Sequence, residues 1–461
     1  MQSFKKPTRY DFDLIVIGSG AGGGVAAHIA ANEGKKVALV ESSSLGGDSP
    51  HFGCIPTKAL LKAAKTLYTV QNAPQFGIKA NSVSYNFRSV QAFKDKAINS
   101  TGVNNESSVF RHQGIHIVKG QAHFINPWTI SLGLKHIRAR KFLIATGSSP
   151  IIPNIPGLPE SGFITYKQAS HLLKPPKSLF IIGGGPVAYE YAQIYATFGT
   201  KVYIAEVRGH LLPFEDPEVG DSAEAVLAKK GVHVRTNAKV IHCSGTNNRK
   251  VITFEHNGQQ HRVATEMLMV ATGKYANCDL GLQNTGVKLT DFGIKVDRFM
   301  RTNAKHIFAA GDVIGVDFST HTAIQEGRLA VHNMYQRKKI AMDYHAIPRC
   351  YFGDPEIAIV GKTEHQLRVS GDLYQTAIAP ISILGKAITS NYSYGFVKII
   401  ANHNGVILGA SIVSPHASEM LSELTFAIQH HHHACAIANT VHPFPTWSEA
   451  IRIVASKIKC I

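Results

Sequence analysis

Two glycine-rich turns carry the first chemistry legible in this chain. Asp13-Leu14-Ile15-Val16-Ile17 is a short apolar run, as a buried parallel strand requires, and Gly18-Ser19-Gly20-Ala21-Gly22-Gly23 follows it directly. A small-residue helix over 25–33 and a strand over 36–40 come next, and that strand ends in Glu41. Gly18 permits the tight turn, Gly20 lets the backbone approach a pyrophosphate, and Gly23 lets helix and strand pack closely. The helix N-terminus offers free N–H groups and a positive dipole end to the phosphates. Glu41 stands where it can accept hydrogen bonds from a ribose diol. The unit recurs. A strand over 178–182 leads into Gly183-Gly184-Gly185-Pro186-Val187-Ala188, a helix over 188–198 and a strand over 201–205 that ends in Glu206. Ala188 takes the place of the third glycine. Two such units imply two dinucleotides, and the commonest pair is FAD with a nicotinamide coenzyme. Glu206 favours NADH over NADPH, because an acid there accepts the adenosine 2′-OH and repels a 2′-phosphate. Arg208 is the nearby residue that would serve such a phosphate.

These turns need elements to hold them. The run over 141–147 reads as a strand closing the first fold at Thr146-Gly147, and 267–273 repeats the pattern with Val270-Ala271-Thr272-Gly273. The segment 302–313 ends in Ile307-Phe308-Ala309-Ala310-Gly311-Asp312, which puts a carboxylate at the tip of a buried strand, where a ribityl chain could be held. The chain is therefore expected to return to the first fold after the second is inserted. Proline-rich stretches over 149–159 and 174–177 read as linker and turn. From about 346 the texture changes to turns alternating with strand-like runs and then a helix over 419–430, which reads as an α+β domain. The expected fold is α/β, with two Rossmann-like dinucleotide-binding domains, one inserted in the other, and a C-terminal α+β domain. The boundaries read as 1–150 with 275–345 for FAD, 151–274 for NAD(P)H, and 346–461.

Length and composition agree with several domains. A chain of 461 residues is too long for one core, and 44% hydrophobic with 17% charged residues fits a globular protein. The net charge of +17 comes from basic residues spread along the chain, without a basic block or nucleic-acid motif. A basic surface, with an anionic membrane surface or acidic partner as the alternative, is the reading. Six cysteines lie far apart with no CxxC, so no metal site is expected. The start lacks the apolar core of a signal peptide, and no apolar run approaches the ~20 residues of a membrane span. Scattered thiols point to a reducing cytoplasm. His430-His431-His432-His433 falls on a helical pattern, where adjacent side chains diverge, and reads as a solvated or interface helix end.

The stretch Gly46-Gly47-Asp48-Ser49-Pro50-His51-Phe52-Gly53-Cys54-Ile55-Pro56-Thr57-Lys58 resembles the redox-active segment of the flavin disulfide reductases. With the glycine turns, Gly311-Asp312, Glu326-Gly327 and the run Phe352-Gly353-Asp354-Pro355-Glu356-Ile357-Ala358, it makes nearly the whole chain similar to the class I pyridine nucleotide–disulfide oxidoreductases. Dihydrolipoyl dehydrogenase, glutathione reductase and mercuric reductase belong to that class. The resemblance implies a homodimer joined through the C-terminal domain. It also implies a relay from NADH to FAD, to a disulfide, and to a small-molecule electron acceptor. Cys54 corresponds to the cysteine beside the flavin and position 49 to the outer cysteine, both at the start of a helix whose dipole favours a thiolate. Lys58 corresponds to the lysine near the flavin ring and Glu190 to its partner. Gly47, Asp48, Thr146, Gly147, Gly273, Gly311 and Asp312 join the glycine turns as cofactor-binding positions.

Two departures bear on function. Ser49 replaces a cysteine and cannot form a disulfide. It is either native or a replacement for cysteine. Near the C-terminus the family's His-Pro-Thr-x-x-Glu becomes Phe444-Pro445-Thr446-Trp447-Ser448-Glu449, so the acid–base histidine is Phe444 while Glu449 keeps its spacing. His442 is either a displaced base or a structural histidine, and Cys460 is either a mobile thiol reaching a partner subunit or an inert tail residue. The leading reading is an FAD-dependent NADH oxidoreductase whose acceptor is a quinone, metal ion, oxygen or small disulfide. The alternatives are dihydrolipoyl dehydrogenase and a non-catalytic flavoprotein binding module.

Overall fold

The computed structural model describes residues 6–246 and 248–461. They divide into two units. One takes the chain up to Pro56, Ala92–Ile151 and Gly273–Asp343, the other Thr57–Gln91, Ile152–Thr272 and Tyr344–Ile461. No helix among the described residues is long and apolar enough to cross a membrane.

Among the described residues of the first unit, strand Phe12–Ile17 lies at the centre of a seven-stranded sheet. It pairs in parallel with Val37–Glu41 on one side and Lys135–Ile144 on the other. His116–Lys119 extends the parallel part, while Thr129–Leu132 and His123–Asn126 run antiparallel at the far edge. Leu14, Ile15 and Val16 are wholly buried, so this run shows no polar alternation: both faces of the strand are covered. Burial of each such side chain contributes roughly 1.5–3 kcal/mol. Ile307–Ala309 pairs in parallel with Lys135–Ile144, which confirms the expected return of the chain to the first sheet. Ser148–Pro150 forms an antiparallel ribbon with Lys274–Ala276, so the proline-rich stretch read as linker begins as a strand. Its backbone is paired there before the prolines take over.

The second unit carries a four-stranded parallel sheet in the order His233–Arg235, Lys201–Ala205, Ser178–Ile182, Met267–Val270. A three-stranded antiparallel sheet follows from Ala238–Thr246, Arg249–His256 and Gln259–Thr265. The C-terminal region is a five-stranded antiparallel sheet, Arg349–Tyr351, Glu356–Gly361, Ile407–Ser414, Phe396–Asn402, Tyr374–Pro380, with helices Ala417–Gln429 and Glu449–Ala455 packed on it. Its core centres on Val397, Ile399, Ile412, Leu424 and Ile451. A buried and a half-buried cation tie this sheet to the coenzyme fold within the unit. Lys398 Nζ meets Asp216 at 3.0 Å, Glu364 at 2.5 Å and Glu218 at 3.1 Å, and Arg349 makes a bidentate pair with Glu215. A buried lysine is tolerable only with such partners.

Candidate functional site

Both glycine turns are built alike. Gly18 and Gly183 open them at φ +100° and +104°, where an L side chain is strained. Gly20 and Gly185 are the N-caps of helices Ala21–Asn32 and Pro186–Thr197. Among the described residues nothing lies within 4 Å of where a Gly185 Cβ would point, and only Gly47 Cα, at 3.9 Å, approaches that of Gly20. The backbone of each turn is thus open on the side that a pyrophosphate must approach. The acids close the turns from behind. Glu41 Oε2 accepts from the Ser19 N–H at 2.9 Å and the Ser19 hydroxyl at 2.8 Å, while Oε1 accepts from the Ser43 N–H at 2.8 Å. In the second fold the Gly184 N–H donates to Glu206 Oε2 at 2.5 Å and the Arg208 N–H to Oε1 at 2.8 Å. Arg208 itself stacks its guanidinium on Phe214, 4.6 Å from the ring centre.

The remaining first-fold positions converge on the strand ends. Thr146 and Asn277 exchange hydrogen bonds, and Gly147 turns at φ +67°. Gly273 lies in the first unit, where its carbonyl accepts from the Ile151 N–H. Glu326, wholly buried, accepts from the Gly311 N–H at 2.6 Å and so sets the turn that presents Asp312. The Ser148 hydroxyl donates to Asp312 at 2.5 Å. Burial raises the Asp312 carboxyl above its ordinary value, with Lys274 pulling the other way. Lys274 Nζ also stands 3.8 Å from Asp48.

The redox segment differs from expectation in one respect. Ser49 and Cys54 do not share a helix. Ser49 lies in the four-residue turn Asp48–His51, and Cys54 opens the separate helix Cys54–Gln71. Phe52 and Gly53 break the run between them. Tertiary structure rejoins the two positions through a residue the sequence did not flag. The Thr320 hydroxyl, at the start of helix Thr320–Tyr335, donates to Ser49 Oγ at 3.3 Å and lies 3.5 Å from Cys54 Sγ. Cys54 is exposed.

Lys58, one turn further along the same helix, places Nζ 3.0 Å from both carboxylate oxygens of Glu190. Glu190 is buried and also accepts from the Phe352 N–H at 2.9 Å, and the Phe352 ring lies 4.6 Å from Lys58 Nζ. Helix Pro186–Thr197 holds this loop down, because the Tyr189 hydroxyl donates to the Pro355 carbonyl and Gln193 accepts from the Asp354 N–H. A Cβ on Gly353 would strike the Tyr189 ring and the Gln193 amide, so the close approach requires glycine there.

At the C-terminus Phe444 is 75% exposed, with its ring against Gly385. His442 is a structural histidine in this arrangement. Its Nδ1 faces the Thr440 carbonyl at 3.0 Å and its Nε2 the Glu423 carboxylate at 3.2 Å, so neither nitrogen is available as a base. Glu449, which keeps the family's spacing, opens helix Glu449–Ala455 and lies 3.6 Å from Arg452 Nη2. The histidine run also leaves the helical pattern. Helix Ala417–Gln429 ends before it, and His431 adopts φ +54°. Cys460 packs in its own chain, accepting from the Cys435 N–H at 3.1 Å.

The model of the pyridine nucleotide–disulphide oxidoreductases matches residues 12–327, and that of their dimerisation domain matches 347–455. The chain belongs to this family. As a pyridine nucleotide–disulphide oxidoreductase it is 35% identical to a dihydrolipoyl dehydrogenase of Bacillus subtilis, covering 96% of both chains. It is 33% identical to a mercuric reductase of Streptomyces lividans, covering 96% of this chain and 95% of that one. Among solved structures it superposes on the Cu(II) complex of the HOCl-induced flavoprotein disulfide reductase RclA from Escherichia coli. The TM-score is 0.87, with 27% identity over 98% of this chain and all of that one. Oxidoreductases of this family use FAD and NAD(P)H. The residues present suit both: open glycine backbones at two helix N-termini, an acid behind each, and a half-buried Asp312 whose raised carboxyl lacks full compensation for its burial.

Three other thiols are poor candidates for redox work. Burial pushes Cys243 and Cys350 up to about 11 and raises Cys278. The residues that sequence reasoning missed are Thr320, Ser148 and the Phe352 N–H. Each acts through a contact more than a hundred positions away, and no local pattern announces it.

Proposed function

We propose that this FAD-dependent oxidoreductase takes its electrons from NADH and delivers them to an acceptor that needs no histidine base, a thiophilic metal ion or a quinone before a lipoyl disulfide. The observation that carries this reading is the C-terminal segment. Phe444 has no proton to give, and both nitrogens of His442 are already engaged by Thr440 and Glu423. Reducing an external disulfide requires a proton for the leaving sulfur. A metal ion or quinone can be reduced without one placed by this segment. Bound FAD would supply the acceptance of hydride and its onward transfer. Lys58, fixed by Glu190, would supply the positive charge that opposes negative charge on the reduced group. Cys54 stands at the head of the same helix, and with serine at position 49 it has no partner thiol there. A homodimer through the C-terminal domain fits the matched dimerisation region.

The coenzyme preference has its own test. Glu206→Gln keeps an acceptor for the Gly184 N–H but removes the charge, so the NADH over NADPH preference in kcat/KM is expected to fall roughly 10-fold or more, mainly through a lower NADPH KM. A preference unmoved by this change would remove Glu206 from coenzyme selection.

Anaerobic mixing of the flavin-loaded protein with NADH tests the enzyme reading, and the expected result is bleaching of the flavin absorbance within seconds. Turnover is then compared among Cu(II), a soluble quinone and lipoamide. Lipoamide turnover above the other two would overturn the assignment of the acceptor.

A further inference from the structure

The fold gathers three soft-metal ligand types that the sequence keeps apart. One imidazole nitrogen of His433 and the sulfurs of Cys435 and Cys460 all lie within 4.8 Å of one another. His433 and Cys435 stand at the start of the short helix Ala434–Ala438, and Cys460 lies 25 positions further on, beyond helix Glu449–Ala455. We propose that His433, Cys435 and Cys460 form a binding site for a d10 thiophilic cation, Zn2+ or Cu+, at the edge of the C-terminal domain.

Three features beyond proximity support the site. First, His433 Nδ1 faces the Asn404 carbonyl at 3.0 Å. A nitrogen in that position must donate its N–H, which leaves Nε2 with the free lone pair. Metal-ligating histidines are held in this way, by a carbonyl that fixes the tautomer and the ring. Second, the Cys435 N–H donates to Cys460 Sγ at 3.1 Å, a bond that favours electron density on the sulfur. Third, Gly405 leaves the sulfur its space, since a Cβ there would lie 2.8 Å from Cys460 Sγ. The backbone behind the ligands is held as well. Val406 and His433 form a β-bridge, and the Ala434 N–H donates to the Gly405 carbonyl at 2.8 Å.

Two thiolates and an imidazole select soft or borderline cations over Mg2+ or Ca2+. With bonds of about 2.3 Å to sulfur and 2.0–2.1 Å to nitrogen, tetrahedral ligand atoms stand roughly 3.6–3.8 Å apart, so the three groups need close by only about an ångström. Zn2+ would keep a fourth position for water, whereas Cu+ is satisfied by three ligands. No CxxC spacing announces the site, which is why sequence counting predicted no metal. It does not depend on the flavin reaction.

The test uses the full chain with its flavin, reduced and stripped of metal by a chelator. It is titrated with Zn2+, and anaerobically with Cu+, against a chromophoric competitor. One ion per chain should bind, two thiols should be withdrawn from a thiol reagent, and the ion with the higher affinity identifies the occupant. Cys54→Ser should retain this binding. Cys460→Ser and Cys435→Ser should weaken it at least about 100-fold and His433→Ala roughly 10-fold. If the cysteine variants lose their fold, the Co2+ spectrum of the unaltered protein decides. Tetrahedral bands with thiolate charge transfer support the site, and their absence overturns it. Unchanged affinity in folded Cys460→Ser and Cys435→Ser also overturns it, as does a Cys435–Cys460 disulfide in protein that binds no ion after reduction.

Discussion

Ser49→Cys is expected to convert the flavin-side thiol into half of a disulfide and to raise turnover with thiol-dependent acceptors by roughly 100-fold or more. The physical basis is local. Ser49 Oγ and Cys54 Sγ both lie within hydrogen-bonding reach of one atom, Thr320 Oγ1, at 3.3 and 3.5 Å. The turn folds back over the helix start, so that a Gly53 Cβ would lie 3.3 Å from the Asp48 carbonyl oxygen and 3.4 Å from Ser49 Cα. A disulfide needs about 2.05 Å between sulfurs, so the pair forms only if both side chains turn from Thr320 toward each other. In the oxidised variant neither sulfur should react with a thiol reagent. After anaerobic NADH two new thiols should titrate, the electron pair having entered the S–S bond with one proton taken up per thiol formed. The protein with serine should show only the Cys54 thiol at this place in either state. Two freely reactive thiols in the air-oxidised variant would mean that the geometry does not support the pair.

Lys58→Met is expected to slow reduction by NADH about 100-fold, which corresponds to roughly 2.7 kcal/mol of lost preorganised charge stabilisation. The ammonium is held by both oxygens of a buried carboxylate and packed on Phe352, so it has nowhere to reorganise when negative charge develops nearby. Glu190→Gln should cost less, about 10-fold, because the amide still accepts the Phe352 N–H and the lysine keeps its position. Stability should move the other way round from a surface pair. Lys58→Met strands a buried carboxylate and should destabilise by about 2–3 kcal/mol, at the lower end for a buried pair because Lys58 is one-third exposed. Stopped-flow reduction and chemical denaturation read the two effects separately. If neither substitution alters the reduction rate, the pair is structural only.

The division of labour between sequence and fold follows the range of the interactions. The glycine turns, Glu41, Glu206 and the buried strands were legible because each depends on residues within one supersecondary unit, where spacing dictates geometry. Lys58 and Glu190 were legible only through resemblance, since 132 positions separate them. The helix expected to run from Ser49 through Cys54 failed at Phe52-Gly53, and the histidine run left its helix at Gln429, because local propensity does not fix where a helix ends. Sequence alone determined that this is a two-dinucleotide protein with a single thiol in its redox segment and no histidine at position 444. Tertiary structure decided what surrounds that thiol. It brought Thr320 to Ser49 and Cys54, paired His442 with Glu423 and Glu449 with Arg452, and set Cys460 beside Cys435 and His433. Those contacts are made by chain segments far apart in sequence, and the packing of buried faces, which no local pattern encodes, is what sets their register.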